Sequence, residues 1–160
     1  MLASPQWQYI LLTKFPSRYL KVQLPPGVWV GTTVDEQKWV KIAEKAFRDL
    51  DVPRERKWLS LEPLREPLEF SDLSMFGAVV IGAQTATNQP TGLVSEFAPP
   101  FDWVARLYVQ AREAGCRLHL KDNLQNGKPG MQLPDETFFA DDEAPSFPAA
   151  PAEVNPFENV

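Results

Sequence analysis

The chain has 160 residues, 44 % hydrophobic, 11 % aromatic and 23 % charged, which suits one core-bearing domain and excludes disorder throughout. Its single cysteine, Cys116, and single histidine, His119, exclude an intramolecular disulfide and a His-rich metal cage. They also exclude any zinc or iron–sulfur site whose thiolates all come from this chain; carboxylates could still bind a hard cation, but no metal ligands are assigned.

The net charge of −5 is unevenly placed. Residues 133–160 hold seven acids, five prolines and no Lys or Arg, which leaves 16 bases against 14 acids in residues 1–132. This divides the chain into an expected folded domain, 1–132, and an acidic, Pro-rich tail, 133–160. The tail has too little to bury and is expected to be disordered. Phe147 and Phe157 are candidate docking anchors in it, beside the plainer reading of a solvated appendage. No run of about 18 apolar residues and no leader pattern is present, so a cytoplasmic protein without a membrane partner is expected.

In chain order, Tyr9 to Thr13 is a short apolar run stopped by Phe15-Pro16, and Val28 to Val34 follows the turn signal Pro25-Pro26-Gly27. Trp39, Ile42, Ala43, Ala46, Phe47 and Leu50 then recur at the spacing of one helical face, with Asp35 as a candidate N-cap and Pro53 beyond the end. Three further strands are expected at Trp58 to Glu62, Ala78 to Gly82 and Cys116 to Lys121. Before the last of these, Trp103, Val104, Leu107, Ala111 and Ala114 mark a second helix, with Asp102 as candidate N-cap and Gly115 at C′.

Five strands joined by helical or loop segments call for a largely parallel α/β sheet. Strand alternation then separates an open sheet from an arc of a barrel. Leu59 and Leu61 share one face and Ser60 and Glu62 the other, while Arg117, His119 and Lys121 oppose Cys116, Leu118 and Leu120. One face suits helices and the other is too polar for a second helix layer. The expected fold is therefore a partial TIM-like (β/α) barrel of about five parallel strands with helices on one face. Five strands cannot close the usual ring of eight, so the edges call for an N-terminal half-barrel chain or a homo-oligomer.

In parallel folds, ligands gather at the carboxyl ends of the strands. That rim would hold Thr13 and Lys14, Thr32 and Thr33, Ser60 and Glu62, Gln84 and Thr85, and Lys121, Asp122 and Asn123. Each alone also reads as a cap or turn residue. Glu62, following an apolar strand and preceding Pro63, suits a general base, an acceptor for a substrate amine, or a structural ion pair with Lys14 or Lys121. The two lysines suit a ligand carboxylate or phosphate, or neutralise Glu62. His119 reads as a hydrogen-bonded face residue and Cys116 as an inert buried thiol. No phosphate-loop, dinucleotide, nucleophile-elbow or zinc-protease motif occurs. Lys38, Lys41, Lys45 and Arg48 could share one basic helical face, but no nucleic-acid stripe is evident.

The segments LLTKFPSRY, GVWVGTTVDEQ, WLSLEPL, VVIGAQT and LHLKDNL, in this order, resemble an uncharacterised phage-associated family of radical-SAM-like proteins, named after phage gene products thirty-seven and sixty-eight. The resemblance covers about Gln8 to Pro134. It implies a TIM-like barrel whose N-terminal part carries a three-cysteine motif for a [4Fe–4S] cluster that binds S-adenosylmethionine. This chain departs from that pattern by opening at what resembles the fourth barrel strand. Cys116 cannot replace three thiolates, so any cluster would come from an N-terminal partner half, and none from this chain alone.

By the same resemblance, Thr32 and Thr33 would serve the nucleoside, Lys14 or Lys121 the cofactor carboxylate, and Glu62 its amine or the substrate. Ser60 and Gln84 complete the cofactor-binding set, and Glu62 and Lys121 are the candidate catalytic pair. The expected function is the C-terminal portion of a radical-SAM-like barrel protein, inactive by itself. Two contrasting readings are a phage or mobile-element interaction protein, using its sheet edges and acidic tail, and a cofactor-independent α/β enzyme.

Overall fold

The computed structural model describes residues 8–125, so the acidic tail and the expectation of disorder there lie outside the described residues. In chain order the elements are β1 (Ile10–Thr13), a 3₁₀ segment Pro16–Lys21, β2 (Trp29–Thr33), α1 (Val40–Asp49), β3 (Lys57–Leu61) and β4 (Ala78–Ile81). A hairpin of β5 (Thr87–Gln89) and β6 (Gly92–Val94) follows, then α2 (Phe101–Glu113) and β7 (Arg117–Leu120). The five expected strands all form. They make one sheet in the order β1-β2-β3-β4-β7, every pair parallel.

The two faces follow from the alternation of side chains. Val30, Leu59, Leu61, Val79, Ile81 and Leu118 enter one core cluster together with Val40, Ala43 and Phe47 of α1 and Val104, Leu107 and Ala111 of α2. Both helices therefore cover the same face. On the opposite face Trp29, Trp58, Ala78 and Val80 form a separate small cluster. The Trp58 indole lies flat over Gly31, where a Cβ would sit 2.2 Å from its Cε2, and Arg117 stacks 5.2 Å above the Trp29 ring.

Polar groups in the interior fix the helices and crossovers. Lys57 is buried on the helix side and donates to the Phe47 and Leu50 carbonyls at 2.8 and 2.7 Å, satisfying the end of α1. Burial holds its ammonium below the ordinary lysine pKa. Arg54 donates to the Phe76 and Ala114 carbonyls at 3.0 and 2.6 Å and ties the β3 entry to the end of α2.

No helix joins β3 to β4. Instead an irregular segment buries Leu64, Leu68, Phe70, Leu73 and Phe76 in the helix-side core. Glu44 holds it from α1 by accepting from the Ser71 amide at 2.5 Å and the Ser71 hydroxyl at 2.8 Å.

Local punctuation differs from expectation at both helix starts. Asp35 does not cap α1: a 3₁₀ turn, Gln37–Trp39, intervenes, and Trp39 occupies the N-cap. Asp102 lies inside the first turn of α2, whose N-cap is Pro100. Gly115 stands after the C-cap Ala114 with φ of +69°, as the C′ reading requires. The hairpin β5–β6 was not expected; its strands are short and exposed, without the apolar alternation that marks the others. Closure of the sheet into a barrel is not seen among the described residues. No described helix is long and apolar enough to cross a membrane.

Candidate functional site

Parallel pairing in chain order places every strand end on one rim, and two ion pairs stand there. At the end of β1, Lys14 Nζ lies 2.8 Å from Asp35 Oδ2, which follows β2. The lysine side chain is largely exposed and the aspartate buried. At the ends of β3 and β7, Lys121 Nζ lies 2.6 Å from Glu62 Oε1, both side chains partly exposed.

Strand β4 runs between β3 and β7, so Glu62 and Lys121 meet across its terminus. Gly82 makes that possible: a Cβ there would lie 3.0 Å from Glu62 Cγ, Cδ and Oε1. Backbone bonds set the level of all three strands, from Gly82 to the Leu61 carbonyl at 3.2 Å and from Lys121 to the Ile81 carbonyl at 3.0 Å. The Glu62–Pro63 peptide, cis in this chain, follows directly. Beyond Lys121, Asn123 exchanges two hydrogen bonds with the Ala83 backbone, accepting at 3.0 Å and donating at 2.9 Å. Residues 82–84 and 121–123 are thereby held as one ledge.

The other sequence-selected residues divide. Thr32 is fully buried, on the helix side, and its hydroxyl donates to the Thr13 carbonyl at 2.9 Å. Thr33 points to the opposite face and is part-buried. Ser60 is buried on the same face as Trp58, two residues before Glu62 on that face. Gln84 anchors the hairpin: its backbone pairs with Phe97 in both directions at 3.0 Å, and its amide donates to the Ser95 carbonyl at 2.5 Å.

The structure thus brings Glu62 and Lys121 together and seats Lys14 on Asp35 instead. Sequence reading missed Asp35 as an ion partner and Gly82 as the gap under Glu62; it placed Asn123 on the rim but not its clamp on Ala83. The usable signal was a glycine, Gly82, directly beyond a strand end.

Cys116 is buried on the helix side, within hydrogen-bonding distance of the Leu73 and Phe76 carbonyls at 3.5 and 3.2 Å. Burial raises its thiol pKa, against the lowering effect of nearby Arg54. It is remote in chemistry from the rim, a protonated packing group. No cluster of three or more His, Cys, Asp or Glu among the described residues could hold a metal ion. Chemically, the rim offers a carboxylate and an ammonium in contact, able to receive a ligand that carries both charges or to exchange a proton with one.

A family model matches residues 1–132: the family described as a protein of unknown function, DUF5131. The chain belongs to that family. No curated protein and no solved structure matches it.

Proposed function

We propose that this DUF5131 chain supplies the C-terminal arc of a (β/α) barrel of the radical-SAM type, contributing the ligand rim and relying on another polypeptide for the cluster. The supporting observation is the Glu62–Lys121 pair bridging Gly82 at the carboxyl ends of β3, β4 and β7, on a sheet whose spatial order follows the chain. A sheet ordered along the chain, with both helices on one face, supports the reading as a barrel arc, since a doubly wound sheet reverses its order and carries helices on both faces.

The residues present do not fit an iron–sulfur cluster. Three thiolates are required, and the one cysteine is buried with its sulfur turned to backbone carbonyls. No step is therefore assigned to a cluster on this chain. The rim pair suits the zwitterionic end of S-adenosylmethionine or of an amino-acid substrate, with the ligand carboxylate against Lys121 and its amine against Glu62. Thr33 and Ser60 face the same side of the sheet; Thr32, its hydroxyl already committed to Thr13, would support the strand end instead of touching the nucleoside.

The test is purification of the tagged full chain from its native host, with assays for iron, co-purifying chains and S-adenosylmethionine binding by calorimetry. An iron-containing complex whose binding is weakened at least tenfold by Glu62→Gln or Lys121→Met supports the reading. An iron-free homo-oligomer indifferent to S-adenosylmethionine overturns it. The contrasting reading, an interaction protein, draws on β1, which pairs only with β2 among the described residues and exposes Ile10 and Leu12. In that case the same two substitutions leave partner binding unchanged.

A further inference from the structure

Away from the rim, the 3₁₀ segment Pro16–Lys21 packs on α1, with the Tyr19 ring edge-on to Phe47 at 6.3 Å between centroids. Their outward sides form a surface of unusual composition. Arg18, Lys21, Lys41, Lys45 and Arg48 are exposed there, interleaved with apolar side chains that are also open to solvent: Phe15 at 55 %, Leu20 at 46 %, Val22 at 58 % and Ile42 at 45 %. Local acids temper the charge only in part. Asp49 takes Lys45 at 2.8 Å, Glu36 takes Lys38 at 2.5 Å at the start of α1, and Asp72 stands close enough to Arg48 to be stabilised by its charge. Ile42 comes from α1 and Leu20 from the 3₁₀ segment, with Phe15 and Val22 at its two caps, together more exposed large apolar groups than a merely solvated basic surface calls for.

The same polypeptide carries a segment of the opposite character. Between Asp135 and Glu143 five acids, Asp135, Glu136, Asp141, Asp142 and Glu143, flank the pair Phe138-Phe139, with no base among them. We propose that this segment of the chain docks on the Pro16–Lys21/α1 surface of its own molecule, the phenylalanines against Leu20, Val22 and Ile42 and the carboxylates against Lys21, Lys41 and Arg48. Charge complementarity and the pairing of apolar with apolar both favour this occupant. The chain length allows it. Nine residues, 126–134, lie between Gln125, the last described, and Asp135, ten steps with a reach of about 33 Å, while five strands span about 20 Å of sheet. A nucleic acid would use the bases but not the exposed aliphatic groups.

Zero-length carbodiimide cross-linking of the full chain tests this, read by mass spectrometry on an equal mixture of unlabelled and ¹⁵N-labelled protein. The expected result is amide links from Lys21, Lys41 or Lys45 to acids of 135–143, within single-isotope chains. Their yield should fall several-fold in Phe138→Ala/Phe139→Ala, which keeps every cross-linkable group, and at high salt, where the screening length shrinks to about 3 Å. Links spread evenly over all exposed lysines, or found chiefly in mixed-isotope pairs, overturn docking in the same molecule. Anisotropy with a fluorescent single-stranded oligonucleotide is the second measurement. Binding that Lys41→Glu/Lys45→Glu weakens tenfold, with no links to 135–143, assigns the surface to nucleic acid and overturns the proposal.

Discussion

Lys121 and Glu62 touch at 2.6 Å beside Gly82, just past the strand between theirs, whose missing side chain leaves room for the carboxylate. Gly82→Ala places a methyl 3.0 Å from three Glu62 atoms, so the flexible carboxylate must give by a few tenths of an ångström, which weakens or breaks its contact with Lys121. The pair is partly exposed, so its loss should cost no more than about 1 kcal/mol. Urea unfolding checks this. A loss above about 3 kcal/mol would show that the backbone there is strained by the change, and that the ion pair is the lesser effect.

Gly31 is the harsher position. An added Cβ would lie 2.2 to 2.6 Å from the ring atoms of Trp58, and that indole is rigid and buried. Gly31→Ala is expected to destabilise by about 1 to 3 kcal/mol or more. A shift in tryptophan fluorescence should accompany it, because the ring must leave its seat. An unshifted spectrum at unchanged stability would contradict this packing.

Tyr19 donates to the Gly31 carbonyl at 3.0 Å, and burial pushes its phenol pKa up to about 12. An unfolded chain releases that proton near pH 10. Stability held through Tyr19 is thus intact below pH 10 and is lost as pH rises toward 12. Ultraviolet titration should show one late phenolate that Tyr19→Phe removes; that substitution should itself cost about 0.5 to 1.5 kcal/mol.

Lys57 carries the opposite sign. Its folded pKa lies below 10.5 because burial penalises the charge, so the unfolded chain holds the proton more tightly. Stability therefore rises as pH climbs from the folded value to 10.5. Lys57→Met should lack this gain. It also strands the Phe47 and Leu50 carbonyls, a loss of about 1 to 3 kcal/mol. Chemical denaturation of both proteins at neutral and alkaline pH separates the two effects.

The strands were legible because runs such as Ala78–Ile81 are apolar on both sides and end in glycine or proline signals. Helix α1 was legible from its period, but not its start. Asp35 has the chemistry of a cap, and only the tertiary approach of Lys14 shows that it serves an ion pair. Glu62 stood out by following an apolar run. Which of two lysines it meets depends on strand order, which pattern alone does not rank. The hairpin β5–β6 escaped because its Thr, Asn and Gln residues pack against nothing that would impose alternation. The Trp29–Arg117 stack joins positions 88 residues apart, beyond the reach of any local rule.

In this sheet the spatial sequence of strands repeats the temporal sequence of synthesis: β1, β2, β3, β4, then β7. Each strand can therefore add to an edge already laid down, and none must be inserted between earlier ones. Folding can proceed outward from either end as a zipper, with each new unit paid in by local contacts. The same property makes the architecture divisible. A break between neighbouring units severs one ladder and leaves the others whole, so that a gene cut there yields two pieces, each with its own continuous set of strands.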